Sequence, residues 1–273
     1  MAVFKNGIFA YNNGQIVNPT SNLTVSIPCA NFFTAARVLN ITQRSAIYQL
    51  VSDLQSYSIW DKMKAIYPMV GQAGVSSSFE LNLKDPNTFR GTFSGSWGFT
   101  NNGIQGNGSN TFMNTGFITN GNVLSNSAHY SIYSRTNLAE NSFDIGTEGT
   151  GRTVMTTRYG DTGCYYAINK NTYAYSAYGN VANSLGFYNA TTVASSVSKL
   201  FKNGTVILSG NTDNVLSTRP IYIGAYNNQG TGAAGFSNRQ YAFASIGDGL
   251  TDTEAANLYT AVQRFQTTLG RQV

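Results

Sequence analysis

Charge is what this sequence has least of. Asp, Glu, Lys and Arg make up 11% of its 273 residues, less than half of the roughly 25% usual in soluble proteins. Histidine occurs once, at His129, and cysteine twice, at Cys29 and Cys164. One imidazole and two distant thiols are too few for a four-ligand zinc site, and no Ser or Cys stands in a recognisable motif with His129 for nucleophilic catalysis. Buried thiols are the expected state of the cysteines, with a Cys29–Cys164 bridge left open. No run of about 18 apolar residues could span a membrane, and residues 1–10 carry no apolar stretch of signal-peptide type. The expectation is synthesis in a cytoplasm, no membrane partner, and any passage outside by another route.

Seventeen basic residues against twelve acidic ones give a net charge of +5. The densest basic spots are Lys62 with Lys64 and Lys199 with Lys202. Neither extends into the stripe that neutralises phosphates, so nucleic acid is not an expected partner.

What the sequence does have is aromatic and turn chemistry. Aromatics reach 13% and there are 28 glycines, a composition that suits many short strands joined by tight turns and excludes disorder. Residues 1–30 alternate short apolar pieces with Asn6-Gly7 and Asn13-Gly14 turns, and they read as an arm that packs on a sheet edge, either of the main domain or of a neighbouring protein. Helical spacing follows. Phe32, Phe33, Ala36 and Leu39 predict a short helix, and Ile47, Leu50, Val51, Leu54 and Tyr57 a second, with Thr42 as N-cap of a helix over 43–56. A strand over 65–70 is pushed toward a sheet edge by Pro68.

From Ser78 to Gly247 the apolar period becomes two. Strands are expected over 79–83, 92–99, 111–117, 129–135, 154–159, 164–169, 172–178, 196–202, 206–209, 219–224 and 241–247, with Asn203-Gly204 as a hairpin turn. Thr251-Asp252-Thr253-Glu254 is a capping box that opens a closing helix, which Gly270 should stop. The fold class read from this pattern is mainly β: an antiparallel jelly-roll sandwich over residues 31–273, with an N-terminal helical hairpin and a C-terminal helix.

Hydrolytic chemistry finds little support. Glycosidases need two carboxylates roughly 5 to 9.5 Å apart, and the nearest approach to a cluster is Glu140, Asp144 and Glu148. On an extended strand such neighbours lie about 13 Å apart, so they read as solvated loop acids and no catalytic residue is assigned. His129, opening an apolar strand, reads as a hydrogen-bonded core imidazole, and Trp97, in phase with Phe93 and Phe99, as core. Surface recognition remains. Tyr165, Tyr166, Tyr173, Tyr175 and Tyr178 crowd one segment beside Asn169 and Asn171, and Tyr226-Asn227-Asn228 follows a strand on an expected loop. Tyrosine faces stack on sugar rings and Asn amides pair with hydroxyls, so Tyr173, Tyr175, Tyr178, Tyr226, Asn227 and Asn228 are the candidate carbohydrate-binding residues. Ordinary cross-strand stacking, with Tyr173 and Tyr175 on one face, is the competing reading.

The order of several segments carries a resemblance. Residues 103–112 (GIQGNGSNTF), Ser131-Ile132-Tyr133, Leu200-Phe201-Lys202-Asn203-Gly204, Pro220-Ile221-Tyr222-Ile223-Gly224 and residues 244–255 (ASIGDGLTDTEA) together resemble the laminin-G-like, concanavalin A-like lectin/glucanase sandwich. Residues 59–71 (IWDKMKAIYPMVG) with the helix before them are similar to the version found in tailed-phage virion proteins. The resemblance implies a non-enzymatic virion structural protein, a capsid decoration or a head or tail fibre, at the virion surface. The arm over residues 1–30 would hold other virion proteins, and the exposed loops would face a host-surface glycan; a homo-oligomer is compatible with this. A free carbohydrate-binding module is the alternative, and a glycan hydrolase the third reading. The glucanase run Glu-x-Asp-x-x-Glu is absent, and Ala244, Ser245 and Gly247 stand where the family's last strand often carries acids. No metal and no cofactor are therefore expected.

Overall fold

The computed structural model describes residues 10–12, 15–17 and 27–273. The Asn6-Gly7 and Asn13-Gly14 turns of the expected arm lie outside them. In chain order the strands are β1 (Ala10–Asn12), β2 (Gln15–Val17), β3 (Met63–Tyr67), β4 (Thr92–Ser94), β5 (Gly98–Thr100), β6 (Gly103–Gln105), β7 (Phe112–Ile118), β8 (Ala128–Ser134), β9 (Ile145–Glu148) and β10 (Gly151–Thr156). There follow β11 (Gly163–Asn171), β12 (Ala177–Asn180), β13 (Gly186–Ala194), β14 (Val197–Lys202), β15 (Thr205–Gly210), β16 (Pro220–Ile223), β17 (Tyr226–Asn228), β18 (Ala233–Ala234) and β19 (Gln240–Gly247). The helices are α1 (Ile27–Ala36), α2 (Ile41–Ser56) and α3 (Asp252–Thr268).

Two large sheets face each other as an antiparallel jelly-roll sandwich. The first runs β12-β11-β10-β9-β16-β7-β4, and the second β15-β14-β13-β8-β19-β6-β5, with β3 also paired to β19. One pairing departs from antiparallel, β17 with β9. The hairpin partners β1 and β2 pair with each other, and among the described residues they join neither large sheet.

Period-two alternation places the core. On β11, Cys164, Tyr166 and Ile168 point into the space between the sheets, where they meet Tyr130, Ile132, Tyr188, Leu200 and Ile246, while Ala167 turns to the opposite face. The outer face of the second sheet is roofed by the three helices: Phe187, Phe201 and Phe243 pack against Leu50, Leu54, Leu258, Val262 and Phe265. The outer face of the first sheet has only a small apolar cluster of Phe143, Val154 and Ala167, flanked by Tyr175 and Tyr226. That asymmetry leaves the face uncovered by helices.

Several expectations hold in detail. The capping box at Thr251 and Glu254 opens α3, and Gly270 follows its end at φ +65°. Asn203 (φ +49°) and Gly204 (φ +77°) turn β14 into β15, the positive-φ pair a type I′ turn requires. Trp97 is buried and donates to the Ser94 carbonyl. Both cysteines are buried thiols.

Other expectations are corrected. The second helix is capped by Asn40, not Thr42: Asn40 Oδ1 accepts from Gln43 N at 2.9 Å and Gln43 Oε1 from Asn40 N at 3.1 Å, a reciprocal box that Thr42, with Ser45 in the third position, cannot make. α1 already starts at Ile27, inside the expected arm. Residues 79–83 form no strand, although Phe79, Leu81 and Leu83 are buried; the Asn82 side chain accepts the β3 hydrogen bond from Ile66 N instead. The expected strand over 92–99 is cut at Gly95 (φ +78°), so its halves enter different sheets. Residues 172–176 turn rather than extend, and the strand begins at Ala177. β13, central in its sheet, and β9 were not read, because strands buried on both faces lose the polar alternation.

Candidate functional site

The uncovered outer face of the first sheet gathers most of the tyrosines singled out from sequence. Tyr165 on β11 lies opposite Tyr178 on β12, and their rings stack at 5.3 Å between centroids and 14° between planes. Tyr165 also meets Tyr175 at 5.3 Å and Tyr159 at 5.7 Å. Tyr175 lies under the Arg152 guanidinium, 4.2 Å from its centroid, and its hydroxyl accepts from Arg152 Nη2 at 3.0 Å. Arg152 in turn sits 3.1 Å from Glu148, with both side chains buried. Glu148 Oε1 accepts from Tyr173 N at 3.3 Å and from Gln229 Nε2 at 3.2 Å, and Gln229 Nε2 also donates to the Tyr173 hydroxyl. The result is one continuous strip from Tyr178 through Tyr165, Tyr175, Arg152 and Glu148 to Tyr173.

Exposure separates ligand-facing rings from structural ones. Tyr173 is 73% exposed and Tyr178 69%, while Tyr175 and Tyr226 are half-buried, Tyr226 against Phe143 at 4.7 Å. Tyr173 and Tyr175 do not share a strand face: Tyr173 sits in a turn at φ +64°. Tyr226-Asn227-Asn228 is strand β17, not a loop. Asn227 is buried and donates to the Pro220 carbonyl, so its amide does not face a ligand as expected, while Asn228 is half-buried and its backbone closes the turn to Gly232 and Thr231. Asn169 is also buried, held by Ser125 and Thr153, and Tyr166 points into the core. Of the six candidates, Tyr173 and Tyr178 present open rings.

Three phenols of this face, Tyr165, Tyr175 and Tyr226, resist ionisation. A hydrogen bond from Tyr165 to Asp161 pushes the Tyr165 hydroxyl up to about 12, and burial raises Tyr175 and Tyr226 despite the opposing charge of Arg152. Neutral aromatic faces result, the kind that stack by dispersion on apolar sugar faces.

The acids once read as solvated are the buried cations' partners. Arg239, fully buried, places its Nη1 at 3.2 Å from Glu140 and 3.0 Å from Asp144. Asp144 also accepts from Tyr241 at 2.6 Å and from Thr157 N at 2.6 Å. Glu140 and Asp144 are thus brought together, against the extended-strand spacing, because Glu140 lies in the loop before β9. The guanidinium fills the space between them. His129 is a buried, hydrogen-bonded imidazole, as expected from sequence. Among the described residues no three His, Cys, Asp or Glu side chains converge as a metal site, and no helix is long and apolar enough to cross a membrane.

Sequence reasoning missed Arg152 and Gln229, and Glu148, expected as a solvated loop acid, is instead buried against Arg152. Glu148 and Arg152 stand four residues apart at the β9–β10 turn, a detectable signal; Gln229 has none.

No family model matches the chain, and no curated protein matches it. Among solved structures it is similar to the botulinum neurotoxin serotype D binding domain at 12% identity and a TM-score of 0.48, over 74% of this chain and 52% of that one. It is similar to a Trypanosoma rangeli sialidase at 10% identity and a TM-score of 0.49, over 79% of this chain and 39% of the other. Domain 4 of a GH43 extracellular arabinanase from Geobacillus stearothermophilus, solved with arabinotriose, matches at 13% identity and a TM-score of 0.45, over 72% of this chain and 98% of that domain. This chain therefore spans about half of the neurotoxin domain and two fifths of the sialidase.

Proposed function

We propose that this chain is a non-enzymatic, glycan-binding sandwich carried as a structural component on a phage virion surface. The observation that carries the glycan reading is the tyrosine strip: two rings more than two-thirds exposed, at the ends of a rigid run of aromatic and charged contacts, on the one sheet face that helices leave open. Tyrosine rings offer dispersion to sugar faces with few rotors to freeze. The acids support the non-enzymatic reading, since Glu140, Asp144 and Glu148 neutralise Arg239 and Arg152. The virion reading rests on the resemblance of residues 59–71 and the helix before them to the version of the sandwich found in tailed-phage virion proteins.

An array of bacterial-surface polysaccharides probed with the full chain tests the glycan reading. Binding weakened by Tyr173→Ala and Tyr178→Ala is the expected result; no binding, or binding that ignores both, overturns it. Turnover of a glucan that is abolished by Asp144→Asn or Glu148→Gln, in a variant whose thermal melt shows it still folded, would instead establish the hydrolase. Mass spectrometry of purified particles separates a virion component, present in stoichiometric amount, from a free module, which is absent. Deleting residues 1–26 should abolish incorporation into particles while leaving a cooperative melt; normal assembly without them defeats the anchoring role of the arm.

A further inference from the structure

We propose that Tyr173 and Gln229 form a donor–acceptor clasp for the vicinal diol of a pyranose ring, an inference that rests on the glycan reading and names the group it recognises. The argument starts from hydrogen-bond capacity. A carboxylate only accepts, so Glu148 Oε1 at 3.2 Å fixes which end of the Gln229 amide is nitrogen. That nitrogen has two N–H groups, and both are engaged, one by Glu148 and one by the Tyr173 hydroxyl oxygen. Gln229 Oε1 is then left accepting nothing, and the Tyr173 hydroxyl, which receives a hydrogen bond, keeps its own proton to donate. One acceptor and one donor stand side by side. Adjacent hydroxyls on a sugar ring offer the matching pair, one donating to Gln229 Oε1 and its neighbour accepting from Tyr173.

The clasp is held rather than floppy. Gln229 N donates to the Glu148 carbonyl at 2.9 Å, and Tyr173 N to the Glu148 carboxylate at 3.3 Å. Both residues sit in the left-handed region, Tyr173 at φ +64° and Gln229 at φ +50°, a conformation that costs a non-glycine residue and persists where surroundings impose it. Here one buried residue, Glu148, itself paired with Arg152, holds both turns, the Tyr173 backbone through its carboxylate and the Gln229 backbone through its main-chain carbonyl. The exposed Tyr173 ring then supplies a face beside the polar pair.

The test uses the full chain with methyl α-glucopyranoside, α-mannopyranoside and α-galactopyranoside, and with their monodeoxy analogues, titrated by saturation-transfer NMR. The clasp predicts binding of at least one. Tyr173→Phe, which removes only an exposed hydroxyl, should weaken it roughly three- to tenfold, the range of one neutral hydrogen bond. The loss should disappear on the monodeoxy sugar that lacks the hydroxyl accepting from Tyr173. Gln229→Glu, which sets a second carboxylate against Glu148, should abolish binding, with a thermal melt confirming that the sandwich is intact. Equal affinity of wild type and Tyr173→Phe, or no signal from any of the three sugars, overturns the clasp. The polysaccharide array then decides separately whether the wider glycan reading stands.

Discussion

Acid should weaken this fold through one side chain, His129. Its imidazole is buried on β8, with Nδ1 2.6 Å from the Asp248 carbonyl and Nε2 3.2 Å from Ser245 Oγ. A carbonyl only accepts, so Nδ1 carries a proton, and with burial holding the ring neutral Nε2 accepts from the Ser245 hydroxyl, which lies 2.7 Å from Ser131 Oγ. Burial is the chief cause that lowers the imidazole pKa to about 4 from an ordinary 6.5; the Asp248 carbonyl and the charges of Asp248 and Glu254 oppose the shift, and Lys62 adds to it. The folded protein therefore binds this proton less tightly than the unfolded chain, so stability from His129 is complete above pH 6.5 and is lost as pH falls toward 4. At ~1.4 kcal/mol per unit of pKa difference the loss amounts to about 3 kcal/mol. Urea unfolding followed by tryptophan fluorescence at pH 7, 5.5 and 4 measures it, against His129→Gln as the variant that cannot titrate. Carboxylates titrating in the same window are common to both proteins and cancel in the difference. Wild type should lose about 3 kcal/mol more than the variant between pH 7 and 4; parallel curves would refute the burial argument.

Three further outcomes follow from buried geometry. Gly204→Val should cost about 1 to 2 kcal/mol in thermal or urea unfolding, because valine resists φ +77° and its Cβ would stand 2.9 Å from Tyr259 Cδ1; unchanged stability would mean the turn has another conformation. Arg271 follows α3 and is almost fully buried, donating to the carbonyls of Met69 at 2.8 Å, Pro68 at 2.7 Å and Ala242 at 2.7 Å, and to Gln266 Oε1 at 2.6 Å. Arg271→Ala takes the guanidinium from the Met69 and Pro68 carbonyls and from Gln266 Oε1, while Ala242 keeps only the bond from Gln266 Nε2, and should cost about 3 to 5 kcal/mol, a fall of roughly 10 °C in melting temperature that calorimetry would register. Asp144→Asn should destabilise by a similar amount, about 3 to 5 kcal/mol, by leaving Arg239 short of its buried partner; a stable variant would show that Glu140 alone suffices.

What could be read in advance was whatever is decided by neighbours in sequence. The Asn203-Gly204 turn, the Thr251–Glu254 capping box and the alternation of Cys164, Tyr166 and Ile168 are local patterns, and the structure keeps all three. The fold class followed from them. The site was legible only in part, for a reason visible in its contacts. Tyr173 and Tyr178 stand out in the sequence as aromatic residues beside turn-forming ones, and in the fold both rings are exposed. Asn227 looked identical in kind, yet the Pro220 carbonyl takes its amide. Asp144 and Glu140 looked like surface acids because the residue that neutralises them, Arg239, lies 95 and more positions along the chain. Gln229 gave no signal at all, since an isolated glutamine is ordinary until Glu148, 81 residues earlier, orients its amide. Polar side chains with one local neighbour are therefore poor guides to a binding face in a sandwich of this kind. The sheet order brings β9 beside β17 and β10 beside β11, and only that order makes a carboxylate, two turns and a tyrosine hydroxyl into one device.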